Sequence, residues 1–189
     1  MFEKIIQLDK QLLVYLNKLG TPEWDSFWLY ITKQFHWAPL FIVVLFFFFK
    51  FLGWKKGVFL LFFLAILIAF SDQFVNIIRN IFERLRPNND PEIQDQLRIF
   101  INPQSYSFVS GHATTSTAVA VFAIKTLKTY TRYIYLFLLF PLFFAYSRLY
   151  LGVHFPVDIL TGICIGIIVG LLAAKLFQYL MNIIFKTKA

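Results

Sequence analysis

The chain has 189 residues, of which 59% are apolar, with 25 phenylalanines, a mean hydropathy of +0.67 and a net charge of +8. That is more apolar surface than a water-soluble domain of this size buries, so a bilayer is the expected solvent and a single integral-membrane domain, residues 1–189, the expected organisation. No basic cluster interleaved with aromatics points to nucleic acid; the single cysteine, Cys164, excludes a disulfide framework or a cysteine-based metal site.

Residues 2–19 set Phe2, Ile5, Ile6, Leu12, Leu13 and Leu16 on one side and Lys4, Gln7, Lys10, Gln11 and Lys18 largely on the other. This predicts an amphipathic helix, too polar to span, lying in the membrane interface. The first 20 residues lack a long apolar core and a small-residue cleavage site, so no signal peptide is expected. After the break at Gly20, Thr21 and Pro22, residues 23–34 lead into a first span ending near Phe49, with Trp24, Trp28 and Tyr30 as interfacial anchors. A tight loop with Lys50, Gly53, Lys55 and Lys56 precedes a second span over 57–79. Residues 80–106 are the longest polar stretch, a loop on the opposite face. A third span over 110–127 opens with Thr114, Thr115, Ser116 and Thr117, residues suited to the inside of a bundle. A fourth covers 133–148. The fifth starts at Pro156, a good first helical position, and spaces Gly162, Gly166 and Gly170 for close packing. The expected fold is therefore all-α: a polytopic helix bundle of about five transmembrane spans plus the N-terminal interfacial helix.

This alternation puts Lys50, Lys55, Lys56, Lys125, Lys128, Arg132, Lys175, Lys186 and Lys188 on one face with no acidic residue. The other nine of the 18 basic residues, and all ten acidic ones, fall on the opposite face. Setting aside Arg79, Arg86 and Arg148, whose guanidiniums suit phosphate, leaves nine against six and favours the first face as cytoplasmic. The amino terminus and the site are then expected on the periplasmic or exterior side of an inner (plasma) membrane.

That outer face collects Arg79, Arg86, Ser110, Gly111, His112, Arg148, His154 and Asp158 from three separate stretches. The triplet Ser110-Gly111-His112 opens an apolar helix, where unpaired amides and the positive dipole end favour an anion; alone it is equally an ordinary helix cap. Arg79 and Arg86 are two helical turns apart, so both guanidiniums can point the same way, and Pro87 then stops the helix. Either arginine alone would read as an interfacial side chain, but three guanidinium forks suit the oxygens of a phosphoryl group. His154 precedes Asp158 by four residues, so the carboxylate can take one ring nitrogen and leave the other nucleophilic. The bland alternative is that the two simply cap the fifth span. His112 has no nearby carboxylate and is the better donor to a leaving oxygen. Asp72, seven residues before Arg79 on about the same helical face, is expected to support it as an ion-pair partner.

Arg79 with six residues to Arg86-Pro87, then Ser110-Gly111-His112, then Ser147-Arg148 with five residues to His154 and three more to Asp158, resembles the three-part signature of the type 2 phosphatidic acid phosphatase family, related to vanadium haloperoxidases. The resemblance covers residues 79–158. It implies His154 as the nucleophile forming a phosphohistidine, Asp158 as its orienting partner and His112 as general acid. Arg79, Arg86, Ser110, Gly111 and Arg148 would bind phosphate, with no metal and no cofactor. Arg79 stands where the family usually has lysine, and Val109 where it usually has proline before Ser-Gly-His.

The implied activity is hydrolysis of a phosphomonoester or diphosphate on a membrane lipid. Undecaprenyl diphosphate or a lipid A phosphate is preferred, with phosphatidylglycerol phosphate and phosphatidate as further substrates of the family. The alternative is a non-catalytic lipid-binding or transport protein on the same fold, which would not need both histidines and Asp158.

Overall fold

The computed structural model describes residues 2–185, and among these every regular element is helical. Lys186 and Lys188, counted above on the cytoplasmic face, lie outside the described residues, as does the Phe2 side chain. The helices are α1 (Phe2–Lys18), α2 (Pro22–Ile31), α3 (Ala38–Leu52), α4 (Trp54–Phe82), α5 (Gly111–Leu127), α6 (Leu139–Tyr150) and α7 (Pro156–Ile184). Short 3-10 turns at Gln34–Trp37 and Arg132–Leu138 lead into α3 and α6. Four stretches among the described residues are long and apolar enough to cross a bilayer: Gln34–Leu52, Trp54–Asn89, Arg132–Tyr150 and Pro156–Ile184. The remaining expected span, α5, has 17 residues and lies enclosed by the others.

Enclosure explains the composition of α5. Its small side chains Ala113, Ser116, Ala118, Ala120 and Ala123 are buried and let neighbouring helices approach closely. The glycine stripe of α7 runs directly along it. A Cβ at Gly162, Gly166 or Gly170 would stand 2.9, 2.5 or 2.6 Å from the carbonyl oxygens of Ser110, Thr114 and Ala118 respectively. Each step of four along α7 matches a step of four along α5, so the two helices run side by side in the same direction. Below this seam the core is aromatic, with Phe48, Phe63, Phe122 and Phe177 packed by stacked and edge-on contacts. Outward-facing Ile42, Phe46, Phe62, Ile66, Leu172 and Leu176 are exposed, as a bilayer requires.

Three local expectations are corrected. The loop expected between Lys50 and Lys56 is the single residue Gly53, whose φ of 79° lets α3 turn directly into α4. Lys50 therefore belongs to α3, and Lys55 and Lys56 to α4. Nor does α4 continue to Pro87. It ends at Phe82, where Glu83 takes the left-handed cap conformation and its N–H bonds the Arg79 carbonyl at 2.9 Å. Arg86 is extended because the following Pro87 excludes the helical region, so it approaches the site from a loop, not from the face of a helix shared with Arg79.

The third correction concerns α1. Ile5, Ile6, Leu8, Leu12, Tyr15 and Leu19 are exposed, as an interfacial helix demands, yet the stripe Asp9, Leu13 and Asn17 is buried against the bundle. Asn17 explains part of this. Its amide donates to the carbonyls of Tyr150 and Arg98 at 2.7 and 3.2 Å and accepts from Arg98 N at 2.7 Å. Lys10 adds ion pairs to Asp90 and Glu92, so α1 also clasps the long polar loop.

Candidate active site

The α5–α7 seam sets the amino ends of both helices beside each other. Ser110 caps α5, accepting from Ala113 N at 3.4 Å, and its own N–H donates to the Asp158 carbonyl at 3.2 Å. The residues just before α7 then turn His154 into the bundle, where it is 1% exposed. Asp158 is fully buried. Its Oδ2 accepts from Phe155 N at 3.0 Å and faces His154 Nδ1 at 3.4 Å; its Oδ1 accepts from Arg84 Nη1 at 2.7 Å.

The other ring nitrogen, His154 Nε2, meets Arg86 Nη1 at 3.1 Å. Arg86 is held by Ser105 O (2.6 Å), Ser105 Oγ (2.9 Å) and Val153 O (2.9 Å). Burial pushes the His154 imidazole well below the usual histidine range, and the nearby charges of Arg86, Arg148 and Arg79 act in the same direction. Both effects favour the neutral ring, whose Nε2 faces the arginine cluster.

Arg79 arrives from the last turn of α4, its Nε donating to Val109 O at 3.1 Å and its guanidinium lying against Gly111, where a Cβ would stand 3.3 Å from Nη2. Arg148 comes from the last turn of α6; it is buried, with Nη1 donating to Thr32 Oγ1 at 2.7 Å and Nε without a partner among the described residues. His112, in the first turn of α5, stacks on Phe144 with ring centroids 4.5 Å apart and stands near Arg148, His154 and Arg79. Arg79, Arg86, Arg148, His112 and His154 thus gather around the paired starts of α5 and α7. Asp72 does not pair with Arg79 directly: its Oδ2 accepts from Asn76 at 3.3 Å, and Asn76 Oδ1 in turn accepts from Arg79 Nη1 at 3.5 Å. Among the described residues no group of three or more His, Cys, Asp or Glu could hold a metal ion.

Sequence reasoning missed Arg84, Asp9, Thr32 and Ser105. Arg84 forms ion pairs at 2.7 Å with both Asp158 and Asp9, and lies 3.8 Å over the Phe155 ring. The recoverable signal for Asp9 is its four-residue spacing to Leu13 and Asn17, a stripe that only makes sense facing protein.

The sequence model of the PAP2 superfamily matches residues 56–182. The chain belongs to the PAP2 superfamily. As a PAP2 member it is a membrane hydrolase of phosphoester bonds. It is 32% identical over 171 residues to a Bacteroides thetaiotaomicron protein named lipid A 4'-phosphatase, covering 88% of this chain and 75% of that one. A Porphyromonas gingivalis protein of the same name is 30% identical over 182 residues, covering 94% and 76%. The crystal structure of a transmembrane PAP2-type phosphatidylglycerolphosphate phosphatase from Bacillus subtilis superposes with a TM-score of 0.73 over 93% of this chain and 87% of that one. At 19% identity it shares the fold.

Proposed function

We propose that this chain removes a phosphate group from lipid A through a phosphohistidine on His154, working at the outer face of the inner membrane. The observation that carries the chemistry is the disposition of the two ring nitrogens of His154. A guanidinium has donors only, so the Arg86 contact requires an unprotonated Nε2 and places the ring proton on Nδ1, toward Asp158. When a phosphate oxygen takes the Arg86 N–H, the Nε2 lone pair is released to attack phosphorus. The P–O bond to the lipid breaks, and His112 gives its proton to the departing oxygen. A water then attacks the phosphohistidine, His112 takes a proton from it, the P–N bond breaks and phosphate leaves. Arg79, Arg86 and Arg148 hold the equatorial oxygens, which carry the charge in the transfer.

The substrate class is supported by the two relatives named lipid A 4'-phosphatase, which match along most of this chain. The exposed apolar flanks of α3, α4 and α7 keep acyl chains in the bilayer while the headgroup reaches the histidines. The test is phosphate release by purified protein from lipid A, undecaprenyl diphosphate, phosphatidylglycerol phosphate and phosphatidate, with EDTA and vanadate arms and His154→Ala beside wild type. Lipid A is expected to give the highest kcat/KM, vanadate to inhibit, EDTA to have no effect, and His154→Ala to lose about 10³-fold or more, as loss of a nucleophile does. Preference for another lipid overturns the substrate assignment; activity that survives His154→Ala, or a strict metal requirement, overturns the mechanism.

A further inference from the structure

The contact between α1 and the site is more specific than the docking of an interfacial helix requires. Asp9 is 5% exposed, an unusual burial for a carboxylate in a helix whose neighbouring Ile5, Ile6, Leu8 and Leu12 are all exposed. Both of its oxygens are committed. Oδ2 takes Arg84 Nη2 at 2.7 Å, and Oδ1 takes the N–H of Val157, one of the unpaired amides in the first turn of α7, at 2.9 Å. Arg84 presents its other terminal nitrogen to Asp158 Oδ1 at 2.7 Å. Its backbone carbonyl receives Ser107 N at 2.9 Å, and its guanidinium is laid on the Phe155 ring, so the side chain has little freedom to swing.

We propose that Asp9 is a positioning residue for the reaction: through Arg84 it fixes the Asp158 carboxylate that orients His154, so the histidine is held in register from the interfacial helix. This rests on the reading of His154 as nucleophile. One guanidinium shared between two buried carboxylates is a rigid bridge, because each terminal nitrogen is spent on a different anion. Removing Asp9 leaves Arg84 anchored at one end only, and the Asp158 oxygen that faces it loses its fixed donor. The second bond of Asp9, to Val157 N, ties the same carboxylate to the start of the helix that carries Asp158. Asp9 lies outside residues 56–182, the part matched by the superfamily model, so this support comes from the chain's own amino-terminal helix.

The experiment measures kcat and KM separately, on the lipid of the four-lipid panel that wild type turns over fastest, for full-length Asp9→Ala, Asp9→Asn, Asp9→Glu, Arg84→Ala, the Asp9→Ala/Arg84→Ala double variant, Lys10→Ala and His154→Ala. Asp9→Ala and Arg84→Ala are each expected to lower kcat about 10- to 100-fold, the scale of small displacements of a catalytic group, with KM changed less than about threefold. The double variant is expected to be no worse than the more damaging single one, because the two residues act as one unit. Asp9→Glu recovers part of kcat. Asp9→Asn, which keeps the size and an acceptor for Val157 N but loses the ion pair, shows the kcat loss with an unchanged melting temperature, so the test holds even where Asp9→Ala does not fold. Lys10→Ala, which removes only the clasp on the polar loop, is expected to stay close to wild type. An Asp9→Asn kcat within about twofold of wild type beside an inactive His154→Ala, or a Lys10→Ala loss as large as that of Asp9→Ala, overturns the positioning role and leaves the nucleophile standing. Full activity in His154→Ala, or no phosphate release by wild type from any of the four lipids, overturns the mechanistic reading and the positioning role with it.

Discussion

Arg86 Nη1 lies 3.1 Å from His154 Nε2, and since the arginine can only donate, a hydrogen bond here needs the imidazole proton on Nδ1, the nitrogen that faces Asp158. On the proposed mechanism, the same contact guards the lone pair until an anion draws the arginine away.

If His154 is the nucleophile, its buried imidazole sets the acid side of the pH dependence of the free enzyme. The attacking form is then the unprotonated one, and His154 is held below its ordinary value of 6.5, so this form persists as pH falls past 6.5. The acid limb of kcat/KM, corrected for the substrate's own titration by phosphorus NMR, is expected below pH 6.5. A limb at or above that value contradicts the burial argument.

Asp158 and Asp72 should differ sharply on neutralisation. Asp158→Asn offers His154 Nδ1 an amide that can donate as well as accept, which favours the wrong tautomer, and by analogy with other His–Asp pairs kcat should drop by up to about 10⁴-fold. Asp72 reaches Arg79 only through Asn76 and is exposed, so Asp72→Asn should cost much less. Steady-state rates of the two purified variants decide the order, and an equal or larger loss in Asp72→Asn contradicts it.

Gly166 has no room for a methyl group. A Cβ there would meet the Thr114 carbonyl at 2.5 Å and the Thr117 Cβ at 2.8 Å. Gly166→Ala should therefore destabilise the bundle by about 1–3 kcal/mol, the usual range for overpacking, and lower activity as the starts of α5 and α7 separate. The check is thermal unfolding in detergent, with phosphate release measured alongside. An unchanged melting temperature would mean the two helices are not in backbone contact.

Thr32 is the one described side-chain partner of buried Arg148. Thr32→Val keeps the shape, removes the hydroxyl and leaves that guanidinium N–H unpaired, at a cost of about 1–3 kcal/mol. A lower melting temperature and weaker vanadate inhibition are expected; stability equal to wild type would place the Arg148 donor elsewhere.

The candidate site was legible in the sequence where residue type and local geometry coincide. His154, Pro156 and Asp158 are so close together that any helix starting at Pro156 brings the two side chains into reach, and Ser110 announces a cap by residue type alone. The glycine stripe of α7 likewise has one sensible use. Arg84 was illegible for a different reason: its partners are Asp9, 75 residues earlier, and Asp158, 74 residues later, and no local pattern records such distances. The end of α4 was misjudged because apolar periodicity runs on through Ile81 and Phe82 and Pro87 is the obvious breaker, while the helix stops earlier, at a left-handed Glu83 whose residue type does not announce such a cap. On α1 the apolar side was legible, but not that a buried Asp9 and Asn17 would find partners in the bundle.

The co-directional seam of α5 and α7 has an electrostatic corollary. Like poles set side by side disfavour each other, and here both positive poles, with three guanidiniums around them, crowd one small volume. A tetrahedral oxyanion relieves that mutual repulsion whether or not it reacts, so orthovanadate should raise the melting temperature of the chemically inert His154→Ala protein as well as of the wild type. That result would assign affinity for the anion to the scaffold, with the imidazoles adding turnover to a receptor that exists without them.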